Sequence, residues 1–167
     1  MIPLPPPIQI EYSCNDSQGR IILANININS VQISLCIIYA PNNLQVQNTF
    51  VKDLNQFLLS NANVSRLIVG GDWNVALGAI DKKGGIPWRP TTYRDYIIAM
   101  CEELDLIDVL RKKKPNAKLF TYESKPLKMK SRIDYFLIAN SMSHLVSHVN
   151  IRVSIAPDHM HSGNFKC

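Results

Sequence analysis

Long apolar runs are missing from this 167-residue sequence: no stretch of about 18 uninterrupted apolar residues exists, so no helix is expected to cross a bilayer. Glycine is scarce, at seven residues against ten prolines. With 46% hydrophobic and 19% charged residues, this composition excludes a fibrous or disordered chain and predicts a soluble globular protein. C-x-x-C pairs are absent, as is any Cys/His spacing suited to a metal, so Cys14, Cys36, Cys101 and Cys167 read as plain thiols in a reducing compartment. The opening "MIPLPPPIQI" lacks a basic flank and carries helix-breaking prolines, which excludes a signal peptide and predicts an intracellular location, nucleus or cytoplasm. No internal repeat or low-complexity tract interrupts the chain. The length suits one domain with a real core, residues 1–167, behind a proline-rich leader at 1–7.

What is present is unevenly charged. Thirteen of the 18 Lys and Arg lie between Lys82 and Arg132, against six acids, a local excess of +7 in a chain whose total is only +5. Such a stretch suggests a polyanionic partner, with Lys112, Lys113, Lys114, Lys128 and Lys130 as candidate phosphate contacts; for "RKKK" itself, four basic residues followed by proline, a solvated surface patch or a localisation signal is the more common explanation.

Apolar periodicity orders the elements. "IQIEY" (8–12) reads as a strand, and "RIILANININ" with "VQISLCIIYA" reads as a hairpin joined at Asn29-Ser30 and stopped by Pro41. Val46, Phe50, Val51, Leu54, Phe57 and Leu58 mark one face of a helix over 45–59, and "RLIVGG" is a short buried strand. "ALGAIDKKGGIPWRP" reads as a long loop. Tyr93, Tyr96, Ile97, Met100 and Leu104 form a second helical stripe capped by Thr91 or Thr92. "LFTYES" and "SRIDYFLIA" read as two strands joined by the basic loop "KPLKMK". Val149, Ile151, Val153 and Ile155 alternate in a last strand ended by Pro157. The order of strands and helices predicts an α/β architecture.

Polar residues just past a buried strand sit where α/β proteins build their sites. Asp72 and Asn74 follow "LIVGG" with Trp73 between them, so their side chains share one side of an extended backbone and the indole takes the other. An Asx-turn that merely ends the strand is the plain alternative. Three more strands carry such residues: Tyr39 in "IIYAPNN", Asp134 in "SRIDYFLI", and Asp158 with His159 in "IAPDHM". Singly, each has a structural explanation: a buried phenol, a partner for Arg132 or a cap, a surface histidine. Together, two acids that share a hard divalent cation, a histidine, an amide and a phenol suit phosphodiester cleavage.

"IYAPN" (38–42), "VGGDWNV" (69–75), "SRIDYFLI" (131–138) and "PDH" (157–159), in that order, resemble the endonuclease/exonuclease/phosphatase superfamily. They are most similar to the apurinic-type endonuclease domain of non-LTR (LINE-type) retrotransposons, to which "DSQGR", "DKKGG" and "LFTYES" also correspond. The resemblance implies a four-layer α/β sandwich of the DNase I kind, two mixed sheets flanked by helices, and a Mg²⁺- or Mn²⁺-dependent DNA endonuclease that nicks its substrate. It implies that Asp72 orients or deprotonates the attacking water and that Asn74 and Tyr39 contact the phosphate. His159 would donate to a phosphate oxygen, Asp134 would fix its tautomer, and Asp158 would bind the metal. DNA contacts are implied for Asn42, Thr121, Lys128, Lys130 and Arg132, and a reverse transcriptase domain for the ancestral polyprotein.

The chain also departs from the pattern. The superfamily's upstream asparagine and metal-binding glutamate have no counterpart in the fifteen residues before Asp16, where Glu11 is the sole acid and lacks the expected context. Pro157 stands where Ser is usual, and only eight residues follow His159. A partial domain is expected, with an unpaired sheet edge, an exposed apolar face and weakened metal binding. The alternative to an active nuclease is a retrotransposon-derived remnant that keeps the fold and weak nucleic-acid binding.

Overall fold

The computed structural model describes residues 8–151. Three strands open the chain: β1 (Ile8–Asn15), β2 (Ile21–Ile28) and β3 (Val31–Tyr39). The β2–β3 connection is the two-residue turn expected, with both Asn29 (φ 53°) and Ser30 (φ 65°) left-handed, the geometry whose twist matches that of antiparallel strands. Asp16 closes the β1–β2 turn, its Oδ1 accepting from the backbone of Arg20 (2.7 Å) and Ile21 (2.9 Å). Helix α1 (Leu44–Asn61) starts at Asn43, whose side chain accepts from the Gln45 N–H, and it buries Phe50, Val51, Leu54 and Leu58. Strand β4 (Leu67–Asp72) then runs parallel to β3, the crossover that a helix between parallel strands provides.

The next segment corrects the expected long loop. It contains a 3₁₀ turn at Ala79–Asp81 and the two-residue strand β5 (Lys82–Lys83) before α2 (Thr92–Glu103), which Thr91 caps by accepting from the Arg94 N–H. A three-residue strand β6 (Leu106–Asp108) and a five-residue helix α3 (Val109–Lys113) follow, neither of them expected because neither is long enough to show a period. Asp108 starts α3 by accepting from the Arg111 N–H at 3.1 Å. The remaining strands are β7 (Tyr122–Ser124), β8 (Met129–Ser131) and β9 (Asp134–Ala139).

"SRIDYFLIA" is therefore not one strand. Ser131 ends β8 in a three-stranded sheet ordered β5-β8-β7, whereas Asp134 begins β9 in a six-stranded sheet ordered β1-β2-β3-β4-β9-β6. The chain steps from one sheet to the other across Arg132 and Ile133. Of the expected last strand, Val149 and Ile151 are described and are not in a strand, and Val153 and Ile155 lie outside the described residues.

Strand alternation sorts the core. On one face of the large sheet Ile21, Leu23, Cys36, Ile38, Leu67, Val69 and Leu137 pack with Phe50, Leu54, Leu58, Ile97 and Met100 of the two long helices. At about 25 cal/mol per Å² of buried apolar surface, this layer is the main stabilising element. On the opposite face, Val109, Leu110 and Val149 cover Ile138, with Ile68, Phe136, Leu119 and Ile151 around them. Among the described residues that cover ends at β4, and over β1–β3 Ile8, Ile10, Ile22 and Ile37 are 63%, 69%, 54% and 45% exposed on one sheet face.

Candidate active site

Three strands of the large sheet bring the expected residues to one edge. Tyr39 and Asp72 are partners in the parallel β3–β4 pair, and Asp72 and Asp134 are partners in the antiparallel β4–β9 pair. Cross-strand partners of this kind have Cα atoms about 4.5–5.5 Å apart, so the two carboxylates are close neighbours. The Gly70-Gly71 pair permits this approach. A Cβ on Gly70 would meet the Phe136 ring at 2.2 Å, and one on Gly71 (φ 141°) would sit 2.0 Å from the Ile38 carbonyl oxygen.

Asp72 and Asn74 do make an Asx-turn: the Asn74 N–H donates to Asp72 Oδ1 at 2.8 Å, and Asn74 adopts a left-handed φ of 52°. The turn aims both side chains at one cavity, and the plain and chemical readings coexist. Asn74 Nδ2 donates to the Ala40 carbonyl at 2.6 Å, which fixes the amide while leaving it a second N–H. Trp73 turns to the other side, as expected, and is fully buried. Its backbone N–H donates to Ile133 O (2.8 Å), its indole N–H to Tyr135 O (3.1 Å), and its own carbonyl accepts from the Tyr93 hydroxyl (2.9 Å). Burial, and secondarily the charge of Asp72, pushes the Tyr93 phenol well up, so it stays a donor.

The cavity, about 570 Å³, is lined by Asp72, Asn74 and Asp134 together with Asn42 and Thr121. Lys82, Trp88, Arg89 and Tyr122 also stand in its wall. The sequence pointed to Asp72, Asn74, Asp134, Asn42 and Thr121; it missed these last four because they lie in a segment read as loop or in a short strand. Trp88 is fixed there by donating to Ala76 O at 3.0 Å. Thr121 is buried, and its hydroxyl accepts from the backbone of Ile133 and Asp134, both at 3.1 Å, so it shapes the crossover into β9. Tyr39 is not a buried phenol. It is 57% exposed with the Arg20 guanidinium 5.6 Å from its ring centroid, beside rather than within the cavity wall.

Two of the expected DNA contacts are otherwise engaged. Arg132 is 1% exposed, and its Nε and Nη2 donate to Asp81 (2.6 Å) and Asp108 (2.5 Å), which corrects both its expected contact with DNA and its expected pairing with Asp134. Burial opposes its charge, but the Asp81 hydrogen bond and the Asp108 charge outweigh that and raise its pKa. Arg111 donates to the same Asp81 oxygen at 2.5 Å. Lys130 pairs with Glu123 at 2.9 Å on the β7–β8 hairpin, whereas Lys128 is exposed at its turn, with a left-handed φ of 46°.

Glu11 belongs to a different place. It accepts from Asn27 (3.0 Å) and Gln32 (2.5 Å), and Gln32 lies seven residues before Tyr39 on β3. At ~3.3 Å per residue that is about 23 Å from the site edge. Among the described residues no three His, Cys, Asp or Glu gather as a metal cluster. Asp72 and Asp134 supply two hard oxygen donors, a set that fits Mg²⁺, which takes one or two carboxylates and completes its shell with water and phosphate. Asp158 and His159 lie outside the described residues.

Two packed-core layers on a mixed sheet, a second small sheet, and polar residues gathered at one edge of the central strands define the class: the chain has the fold of the endonuclease/exonuclease/phosphatase superfamily. Among solved structures it is similar to the endonuclease domain of TRAS1, a telomere-specific non-LTR retrotransposon, with TM-score 0.65 and 17% identity over 86% of this chain and 62% of that one. It is also similar to the AP endonuclease LMAP of Leishmania major, with TM-score 0.62 and 18% identity over 79% of this chain and 49% of that one. In sequence it is 24% identical over 143 residues to the transposon TX1 uncharacterized 149 kDa protein of Xenopus laevis, spanning 84% of this chain but 11% of that protein. No protein-family model matches the chain.

Proposed function

We propose that the protein is a Mg²⁺-dependent phosphodiesterase that nicks DNA, of the retrotransposon endonuclease type. The observation that carries this reading is the cross-strand pair Asp72 and Asp134, lining with Asn74 a cavity rimmed by Lys82 and Arg89. Asp72 orients and deprotonates the attacking water. The free N–H of the Asn74 amide hydrogen-bonds the scissile phosphate, and Lys82 and Arg89 hold the flanking backbone by charge. His159 donates to a phosphate oxygen, with Asp134 accepting from its other ring nitrogen. Asp158 helps to hold the metal, and Tyr39 and Asn42 extend the phosphate contact along the sheet edge. A bound Mg²⁺ supplies neutralisation of the phosphate and of the leaving oxygen.

The similarity to the TRAS1 endonuclease domain and to a transposon protein supports DNA as the substrate. A second reading, a remnant that binds nucleic acid without cleaving it, is favoured by the position of Glu11 on β1, where its bond to Gln32 holds it far from the site edge and out of reach of a metal there. Supercoiled-plasmid nicking with Mg²⁺, with and without EDTA, separates the two. Metal-dependent nicking lost in Asp72→Ala and His159→Ala establishes the nuclease; folded wild-type protein without nicking establishes the remnant.

A further inference from the structure

Arg132 carries a buried charge held in place by a disproportionate number of bonds. Its backbone N–H donates to Asp81 O (2.8 Å), and its guanidinium bridges the Asp81 and Asp108 carboxylates, which tie down the 3₁₀ turn before β5 and the start of α3. The same guanidinium lies 5.1 Å from the centroid of the Tyr135 ring. Tyr135 in turn stacks on Trp73, with centroids 5.3 Å apart and planes 4° from parallel. Trp73 is the residue between Asp72 and Asn74, and Tyr135 the residue after Asp134.

The three flat groups therefore connect the two chain segments that carry the site. Trp73 is bound to the second segment twice more, through its N–H to Ile133 O and its indole to Tyr135 O. A shift of the Tyr135 ring moves Trp73, and with it the Asx-turn that aims Asp72 and Asn74. Arg132 anchors one end of this stack from outside it, through two carboxylates on separate elements.

We infer that Arg132 is a positioning residue of the proposed nuclease: acting through the Tyr135–Trp73 stack, it sets the spacing of Asp72 and Asn74 against Asp134. This rests on the reading of the site given above. The guanidinium donates through two nitrogens to two carboxylates while its central carbon stands over the Tyr135 ring; a lysine ammonium supplies the charge without that fork. Reacting groups displaced by about 1 Å lose on the order of 100-fold in rate, so a small change in the stack reads out in the chemical step rather than in binding.

The test is Arg132→Lys in the full chain, followed by the two indole N–H resonances in ¹⁵N-labelled protein and by steady-state nicking with Mg²⁺. The chain has two tryptophans, and Trp88, bonded to Ala76 O outside the stack, is the internal control. The expected result is a folded variant whose Trp73 indole signal moves while that of Trp88 stays, with kcat lowered at least ~10-fold and KM for DNA nearly unchanged. A folded variant with an unmoved Trp73 signal, or with unchanged kcat, overturns the proposal, as does a rise in KM that accounts for the whole loss. If Arg132→Lys does not fold, Asp108→Asn, which frees one arm of the guanidinium and keeps the Asp81 pair, is read by the same criteria. If the wild type folds but does not nick, the nuclease reading fails, and the Trp73 signal alone decides the positioning role.

Discussion

Gly71 lies directly beside Ile38, so close that a Cβ on the glycine would sit 2.0 Å from the Ile38 carbonyl oxygen. The obstacle is backbone, and at φ 141° the residue also occupies a region that side chains disfavour. Gly70 differs, because its hypothetical Cβ meets the side-chain ring of Phe136, which has somewhere to go on the half-covered face. Gly71→Ala is expected to destabilise by roughly 3 kcal/mol or more and Gly70→Ala by about 1–3 kcal/mol. Urea unfolding of both variants checks the order; equal midpoints would remove the argument.

The Asp81 carboxylate receives two guanidinium groups while only 1% exposed. Asp81→Ala leaves Arg132 buried with half its partners, and a loss of about 3–5 kcal/mol is expected. The Lys130–Glu123 pair stands in solvent on the hairpin, and Glu123→Ala is expected to cost no more than about 0.5 kcal/mol. Thermal unfolding of the two variants side by side reads the contrast.

Alkaline pH should weaken the fold. Burial pushes the thiols of Cys36 and Cys101 up from 9.0 to about 12, and it raises the Tyr135 phenol well above its ordinary value. Groups whose folded pKa is raised keep their full contribution below the unfolded value and lose it as pH rises towards the folded one, because the unfolded chain releases its protons first. Stability is therefore expected to hold to about pH 9 and to fall steadily between pH 9 and about 12. Denaturant midpoints across that range check it, and Cys36→Ala should flatten the slope even though it lowers the starting stability.

Lys82 sits in the cavity wall, whereas Lys112, Lys113 and Lys114 lie on and after the short helix α3. If each cation faces one phosphate, Lys82→Ala reduces the slope of log K against log salt by about 0.9. Charge reversal at Lys112–Lys114 that leaves the slope unchanged marks that run as a solvated patch. Fluorescence titration of a duplex oligonucleotide at several salt concentrations measures both.

Among the described residues Ile10, Ile22 and Ile37 stand exposed on one face of β1–β3. Replacing them with Thr keeps strand propensity and removes apolar surface, so the triple variant is expected to stay monomeric at higher concentration, with each change worth no more than about 0.5 kcal/mol in stability. Light scattering against concentration gives the comparison.

Much of this fold was legible because its longer elements carry clear periods. The β2–β3 hairpin, α1, β4 and α2 fall where alternation and helical spacing place them, and Asp72, Asn74 and Asp134 converge as their positions at strand ends suggested. What escaped was decided by tertiary contact. Nothing local distinguishes Arg132 from a surface arginine, since its acids Asp81 and Asp108 lie 51 and 24 residues away in sequence. For the same reason "SRIDYFLIA" read as one strand: the break at Arg132 is made by those acids and by Thr121, not by a glycine or proline. Strand β6 and helix α3, three and five residues long, fall below the length at which a period exists. The double glycine read only as the end of a buried strand, and its reason is the nearness of Ile38 and Phe136.

The antiparallel pairing of β4 with β9 also orders events in time. Strands β2 and β3 meet through a two-residue turn, and β3 and β4 meet across one helix, but Asp72 meets Asp134 only after the 61 intervening residues have been laid down and brought round. Closing a loop of that length is entropically costly and yields its contacts late. The half of the sheet built from β1 to β4 can thus assemble while the two acids are still far apart, and the site comes into being with the docking of β9.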